Sequence, residues 1–357
     1  MTPLLPFLKK NPLILLLLAL PFTLAAQLLG WPPVAVFILA ALGIIPLASY
    51  IGEATEALAT HTSPRFGALL NATLGNAAEL IITITAVQAG LLELVKASIT
   101  GSIIGNLLLV LGFAMVAGGV RHGTQKFDKK NAGRNAILLA LAVTALIIPS
   151  VFSQTISETG SANVETLSIG VAIIMLVLYG LGLFDASRTQ ESPLSYSLSK
   201  RDLPARTLPQ SITILVLSTL GVAWLSEALV HVAEAVITGL GISEFFLGII
   251  LVPLIGNVAE HLVAVQMALK DKMDLSTEIA ISSSLQIALV VAPLLVFISL
   301  LLGHPLQIIF NLFELLALLT AVVISALVSA DGESTWLEGA GLLAIYLILG
   351  LAFFLLP

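Results

Sequence analysis

The sequence contains no cysteine and few charged residues. The lack of cysteine excludes disulfides, thiol catalysis and metal sites built from thiolates. Charged residues make up only 10% of the chain and apolar residues 58%, against about 25% and 45–50% in a typical soluble domain. So few charges cannot cover a surface that faces water. We therefore expect a membrane protein that is surrounded by lipid over most of its length.

Long apolar runs predict the number of membrane-spanning helices, because one crossing needs roughly 20 mostly apolar residues. The first run follows Lys9 and Lys10 and lacks a small-residue cleavage site, which favours a retained helix over a signal peptide. The predicted fold class is an all-α polytopic membrane protein with about eleven transmembrane helices. These helices are expected near residues 12–29, 33–58, 66–90, 95–119, 132–152, 163–184, 209–238, 244–269, 275–302, 306–329 and 337–356.

The distribution of Lys and Arg predicts the orientation, since cytoplasmic loops collect these residues. With the N-terminus in the cytoplasm, Lys96 is the one basic residue of the predicted loops that falls outside. This arrangement places the loop from Arg121 to Arg134 in the cytoplasm and the C-terminus outside. The expected location is the cell membrane.

An internal repeat divides the chain. Gly75-Asn76-Ala77-Ala78-Glu79 recurs as Gly256-Asn257-Val258-Ala259-Glu260 at an offset of 181 residues, and the same offset relates other polar residues without a gap. We predict an N-terminal helix (1–30), a first five-helix repeat (31–184), a cytoplasmic linker (185–208) and a second five-helix repeat (209–357). Five is odd, so the second repeat enters the membrane from the opposite side. Inverted repeats of this kind are typical of secondary transporters, with the site near the midplane.

The motifs place one glutamate in the middle of each half. Glu79 and Asn76 share a helix face, as do Glu260 and Asn257, because residues three apart are neighbours on a helix. A glutamate at bilayer depth is costly and by default indicates an ion path, a proton relay or a pair. Two carboxylates neutralise a divalent cation, and Ca²⁺ accepts about 6–8 oxygen ligands. An alternative is a structural pair of protonated glutamates that hydrogen-bond between helices.

Burial and mutual repulsion both favour the protonated form of such carboxylates. Competition between a metal ion and protons for Glu79 and Glu260 is therefore a sufficient basis for exchange. Glycine at the start of each motif weakens the helix and frees carbonyl groups for a cation. Ser102, Asn106, Ser283 and Gln286 supply either further ligands or hydrogen bonds between helices. The expected metal-site residues are Gly75, Asn76, Glu79, Ser102, Asn106, Gly256, Asn257, Glu260, Ser283 and Gln286, and those of proton coupling are Glu53, Glu79, Glu234 and Glu260.

At these motifs the sequence resembles the calcium/proton exchangers of the calcium/cation antiporter superfamily. The resemblance rests on GNAAELIITI (75–84), GNVAEHLVAV (256–265), GSIIGN (101–106) and SSSLQIALVVAP (282–293). It implies eleven helices, two inverted five-helix repeats, and Glu79 and Glu260 as shared ligands of calcium and protons. It also implies that the site opens to the two sides of the membrane in turn, as the first two helices of each repeat slide past the core. Some relatives carry an acidic stretch between the halves, whereas here residues 185–208 have mixed charge.

Three other functions compete with this interpretation. A sodium-driven calcium exchanger would require several neutral oxygens beside the carboxylates, and Gly105 and the two asparagines fit protons better. An intramembrane hydrolase would require an H-E-x-x-H or G-x-S-x-G motif, and neither is present. A channel is the third alternative, but an inverted repeat suits the alternating access of a carrier better than a symmetric pore. We therefore expect a non-enzymatic transporter without a cofactor. Its partners would be Ca²⁺, protons and the lipid bilayer, with no nucleic acid, and self-association into a homo-oligomer is compatible with the sequence.

Overall fold

A computed structural model describes residues 12–62, 64–157, 161–189 and 206–356. Nearly all of these residues are helical, which confirms the predicted all-α membrane fold class. Lys9, Lys10 and most of the predicted linker lie outside the described residues. The boundaries of the four predicted segments stay a prediction.

Fourteen helices and one pair of short strands make up the described chain. The strands β1 (Gln125–Lys126) and β2 (Glu333–Ser334) pair antiparallel, with Gln125 opposite Ser334. The helices are α1 (Leu13–Leu28), α2 (Pro33–Thr60), α3 (Pro64–Leu74), α4 (Ala77–Gln88), α5 (Leu92–His122), α6 (Lys129–Ser157), α7 (Ser161–Thr189), α8 (Leu208–His231), α9 (Ala233–Leu240), α10 (Glu244–Gly256), α11 (Val258–Leu269), α12 (Met273–Leu301), α13 (Leu312–Val328) and α14 (Trp336–Leu355).

Seven of these helices are long and apolar enough to cross a membrane: α2, α5, α6, α7, α8, α12 and α14. An eighth span results if α9 and α10, which meet at 120°, are taken together. Four shorter apolar helices remain, namely α1, α4, α11 and α13. The count of eleven stays a prediction, and it requires the pairs α3–α4 and α10–α11 to cross as two broken spans.

The two helices α5 and α12 lie at the centre of the molecule. In each, 72% of the apolar window is buried, against 22% in α7 and in α14. The outer helices expose large apolar side chains such as Leu181 and Ile348. Exposing such an apolar surface to water is unfavourable, whereas contact with the apolar lipid chains is favourable.

Several loops meet at one end of the molecule, which we call the strand end because it carries β1 and β2. His122 Nε2 lies 2.9 Å from the carbonyl oxygen of Leu269, and Gln125 Nε2 donates to the carbonyl oxygen of Ala268 over 3.0 Å. The connections after α5, α11 and α13 therefore lie on the same side.

Three π-helical turns interrupt the α-helices of the described residues. They are Gly105–Val110 in α5, Leu247–Leu251 in α10 and Ile287–Val291 in α12. Turns of this kind are frequent at functional sites because they re-aim the side chains around them. Two of the three lie in the central helices, next to the polar residues singled out from the sequence.

Candidate cation-binding site

Each of the two sequence motifs coincides with a break in a helix. Asn76 separates α3 from α4, with φ −96° and ψ 23°. Asn257 separates α10 from α11, with φ −102° and ψ 7°. Glu79 and Glu260 therefore lie in the first turn of α4 and of α11. The unpaired N–H groups of a first turn and the helix dipole favour a carboxylate at this position.

The two motif glycines lie where neighbouring atoms leave little room for a side chain. A Cβ atom on Gly75 would lie 2.4 Å from the carbonyl oxygen of Asn71, and one on Gly256 would lie 3.0 Å from Cγ of Glu79. The absence of a side chain at Gly256 thus allows α10 to approach Glu79 from the other half of the chain.

Two equivalent contacts join the halves across the site. Asn257 Nδ2 donates to Glu79 Oε1 over 2.9 Å and to Ser102 Oγ over 3.1 Å. In the other half, Ser283 Oγ lies 3.4 Å from Asn76 Oδ1. The pairs Ser102–Asn257 and Ser283–Asn76 are exchanged by the offset of 181 residues. Both asparagines therefore contact a serine of the opposite central helix.

The amide side chains on α12 and α5 complete this network. Asn76 Nδ2 donates to Gln286 Oε1 over 2.7 Å. Asn106 Nδ2 donates to Ser283 Oγ over 3.0 Å, while Asn106 Oδ1 is buried without a partner in the described chain. These side chains thus hydrogen-bond between helices and also hold oxygens next to the glutamates. This arrangement fits both roles predicted for them from the sequence, as cation ligands and as hydrogen-bonding groups between helices.

The two glutamates differ in their surroundings. Glu79 is 3% exposed, and its Oε2 atom has no hydrogen-bond partner among the described residues. Glu260 is partly exposed and accepts a short hydrogen bond from Ser283 Oγ. Residues that are equivalent in the sequence repeat are therefore not equivalent in this conformation.

A cavity of about 280 Å³ leads to Glu260 from the surface. Ser283 and Gln286 line it beside Glu260, and Glu53 and Lys270 line it towards the strand end. Gly75 and Gly256 also lie on its wall. Glu79 does not line this cavity.

The two residues predicted to couple protons outside the motifs have different positions. Glu53 lines the cavity, and its Oε2 accepts a bond from Arg206 Nη2 over 2.6 Å. Glu234 is exposed outside the cavity, so the structure does not bring it to the central carboxylates. Sequence reasoning missed the Glu53–Arg206 pair, and no local pattern signals a contact between residues so far apart in the chain.

Two carboxylates surrounded by amide and hydroxyl groups form a site of hard oxygen atoms. No group of three or more His, Cys, Asp or Glu side chains in the described residues converges as a metal site. Neutral oxygens or water would therefore have to complete the shell of a bound cation, as Ca²⁺ allows. Such a site can bind a divalent cation when both carboxylates are ionised, or hold protons on the same oxygens.

Comparison with known proteins extends these observations to the whole chain. The family model described as "Sodium/calcium exchanger protein" matches residues 32–185 and 210–355. Each matched range contains one of the two motifs.

Curated relatives match almost the whole chain. A Ca(2+)/H(+) antiporter of Aphanothece halophytica is 44% identical over 98% of this chain and 98% of its own length. The Ca(2+)/H(+) antiporter ChaA of Bacillus subtilis is 42% identical over 96% of this chain and 98% of its own length. Among solved structures, native YfkE superimposes with a TM-score of 0.85 at 41% identity and covers 96% of this chain and 100% of that chain.

Proposed function

Since this chain belongs to the sodium/calcium exchanger protein family, we propose that it is an antiporter that moves Ca²⁺ across a membrane in exchange for H⁺. The single observation that carries the mechanism is the meeting of Glu79 and Glu260 with neutral oxygen groups at two helix breaks. The curated relatives that cover almost the whole chain are named Ca(2+)/H(+) antiporters, which favours protons over sodium as the driving ion.

Exchange follows from competition for the same oxygens. Ionised Glu79 and Glu260 supply two negative charges and bind Ca²⁺, with Asn76, Asn257 and the neighbouring hydroxyl and amide groups as further ligands or supports. Protonation removes those charges, so the cation leaves. An empty site with two ionised carboxylates would have to carry uncompensated charge through a medium of low dielectric, which is costly. The carrier therefore changes conformation with either Ca²⁺ or protons bound, and exchange occurs without a leak.

Access from one side at a time is supported by the cavity. It connects Glu260 with the strand end, while Glu79 stays enclosed. The predicted positive-inside loops assign the strand end to the cytoplasm, with the N-terminus inside and the C-terminus outside the cell membrane. In this assignment the conformation is open to the cytoplasm, and opening to the other side would expose Glu79.

The two-repeat organisation supports such a mechanism. Residues 31–184 and 209–357 would form inverted halves whose motifs meet at the centre, as the exchanged contacts Ser102–Asn257 and Ser283–Asn76 suggest. Eleven spans, with α3–α4 and α10–α11 as broken spans, give the two halves opposite orientations.

Purified protein in sealed vesicles tests this function. A pH gradient should drive ⁴⁵Ca²⁺ uptake, whereas a sodium gradient at constant pH should not. Glu79→Gln and Glu260→Gln should each abolish uptake while the protein elutes from a sizing column as the wild type does. Uptake driven by sodium alone would assign the chain to sodium-driven exchange, and substantial uptake by either variant would remove that glutamate from the central role.

Proton release tests the coupling directly. Because Ca²⁺ binding requires deprotonated carboxylates, binding should release protons and the affinity should fall as the pH falls. The two quantities can be measured together in detergent by calorimetry in buffers of different ionisation enthalpy. Affinity that does not change with pH, without proton release, would mean that these glutamates do not couple the ions.

A further inference from the structure

Arg206 meets the wall of the central cavity from behind. Its Nη2 atom lies 2.6 Å from Glu53 Oε2, and Glu53 belongs to the stretch of α2 that lines the cavity. The side chain of Arg206 is 16% exposed and that of Glu53 is 39% exposed. Arg206 itself is not among the lining residues, so its charge acts on the cavity through Glu53.

Two helices hold Arg206 in this position. It directly precedes Thr207, the N-cap residue of α8. On the other side, His61 Nε2 at the end of α2 lies 3.4 Å from the Arg206 carbonyl oxygen. The helices α2 and α8 also pack closely, since a Cβ atom on Gly221 of α8 would lie 2.7 Å from Leu47 Cδ1 of α2. The backbone therefore keeps Arg206 beside the cavity wall.

The guanidinium group of Arg206 is only half used as a hydrogen-bond donor. Its Nη2 donates to Glu53 Oε2, whereas its Nη1 is buried without a partner in the described chain. A buried donor without an acceptor is costly, and an arginine that served as a structural clamp would bind a carboxylate through both nitrogens. The contact therefore fits a role for the charge of Arg206 better than a role in holding the helices together.

The wall of the central cavity is mostly acidic. Among the described residues that line it, Glu53, Glu56 and Glu260 are acidic and Lys270 is basic. Glu260 and Lys270 are ten residues apart, which is about 15 Å along a helix, so a cation passes a long charged wall before it reaches Glu260. An ion path has to attract its ion and also to release it. A carboxylate with its full charge on this wall would hold Ca²⁺ before the site.

We propose that Arg206 is a positioning residue of the transport path. Its guanidinium group holds Glu53 on the cavity wall and offsets the charge of that carboxylate, so that Ca²⁺ passes Glu53 on its way to Glu260 and does not stop there. This inference rests on the proposed function, because it assigns Arg206 a role on the path to the transport site. The two partners then act in opposite directions: loss of Arg206 leaves a negative charge beside the path, and loss of Glu53 leaves a positive one.

The two single variants and the double variant test the charge pair. Initial rates of ⁴⁵Ca²⁺ uptake are measured in everted membrane vesicles, where the cytoplasmic side and with it the strand end face the medium, with vesicles from cells that lack the chain as the blank. A unit charge about 10 Å from a divalent ion in water changes the local concentration of that ion about fourfold. Arg206→Gln should therefore lower the KM for Ca²⁺ about fourfold, and the maximal rate should fall because the ion leaves the wall more slowly. Glu53→Gln should raise the KM by a similar factor, and the double variant should have a KM close to that of the wild type.

Ionic strength and matched variants separate an effect of charge from an effect of structure. The shifts in KM should be largest at about 0.01 M salt and should disappear at about 1 M, where the Debye length is about 3 Å. Arg206→Lys keeps the charge and should keep the wild-type KM, because only one nitrogen of Arg206 binds Glu53. Arg121→Gln removes an exposed charge of the same end that does not line the cavity, and should leave the KM unchanged.

The possible outcomes distinguish this inference from the proposed function. Shifts of the KM in the same direction for Arg206→Gln and Glu53→Gln, or shifts that persist at high salt, would overturn the role of the charge pair. So would an unchanged KM in Arg206→Gln beside an active wild type. If Arg206→Gln does not fold, Glu53→Gln decides, since an unpaired Arg206 should raise the KM at low salt only. Wild-type vesicles without uptake driven by a pH gradient would instead contradict the proposed function.

Discussion

At the scale of single residues, the unequal surroundings of Glu79 and Glu260 predict unequal chemistry. Glu260 lines the cavity that reaches the surface, whereas Glu79 is enclosed. A water-soluble carbodiimide should therefore modify Glu260 several times faster than Glu79, and Ca²⁺ should slow the modification. Mass spectrometry of the two motif peptides measures both rates. Equal rates, or faster modification of Glu79, would contradict the access described here.

Glu53 predicts a weaker phenotype than the central pair. Its carboxylate pairs with Arg206 at 2.6 Å, and 39% of its side chain is exposed. Partly exposed ion pairs contribute about 0–1 kcal/mol, so Glu53→Gln should change the free energy of unfolding by no more than about 1 kcal/mol. Its position on the cavity wall should make Ca²⁺ uptake slower without abolishing it.

Uptake by Glu53→Gln is measured in the same vesicle assay, beside the surface variant Glu333→Gln as a control for a lost carboxylate. Complete loss of uptake in a folded Glu53→Gln chain would make Glu53 part of the central site. Uptake equal to that of the control would remove it from the ion path.

At the scale of helices, the crossing of α5 and α10 depends on Gly101. A Cβ atom at this position would lie 2.1 Å from the carbonyl oxygen of Ile249. Because this neighbour is backbone, Gly101→Ala should force the helices apart and destabilise the fold by about 1–3 kcal/mol. Thermal unfolding in detergent measures the effect as a lower midpoint.

Gly170→Ala on α7 is the matched control, since a Cβ there meets nothing within 4 Å. In a helix, alanine is favoured over glycine by about 0.5–1 kcal/mol. The midpoint of this variant should stay the same or rise. Similar midpoints for the two variants would argue against a close crossing at Gly101.

The sequence predicts part of this arrangement well. The motif asparagines and glutamates stand out by their spacing and repetition, and the glycines indicate weak helices where the breaks occur. The difference between Glu79 and Glu260 is not visible in the sequence, because a repeat encodes two equivalent halves and a conformation makes them differ. The contact between Glu53 and Arg206 joins segments that are distant in the chain, which periodicity does not relate.

At the scale of the whole molecule, the topology predicts which ends face the cytoplasm. The chain contains no cysteine, so single-cysteine variants can be labelled without background. Lys126→Cys at the strand end should react with an impermeant reagent only from the cytoplasmic side. His304→Cys, exposed after α12, should react only from outside. Labelling of Lys126→Cys in intact cells would reverse the orientation.

The π-helical turns of α5 and α12 bear on the ancestry of the chain. Adding the repeat offset of 181 to Gly105–Val110 gives residues 286–291, which overlap the turn Ile287–Val291. A π-helical turn contains more residues per turn than the surrounding α-helix, so the side chains that follow it point in a new direction. If the two halves descend from one duplicated segment, the ancestor already contained this turn. A residue inserted later in only one half would have changed the spacing between equivalent positions that follow the turn. Gly112 and Pro293, which follow the two turns, are still 181 residues apart.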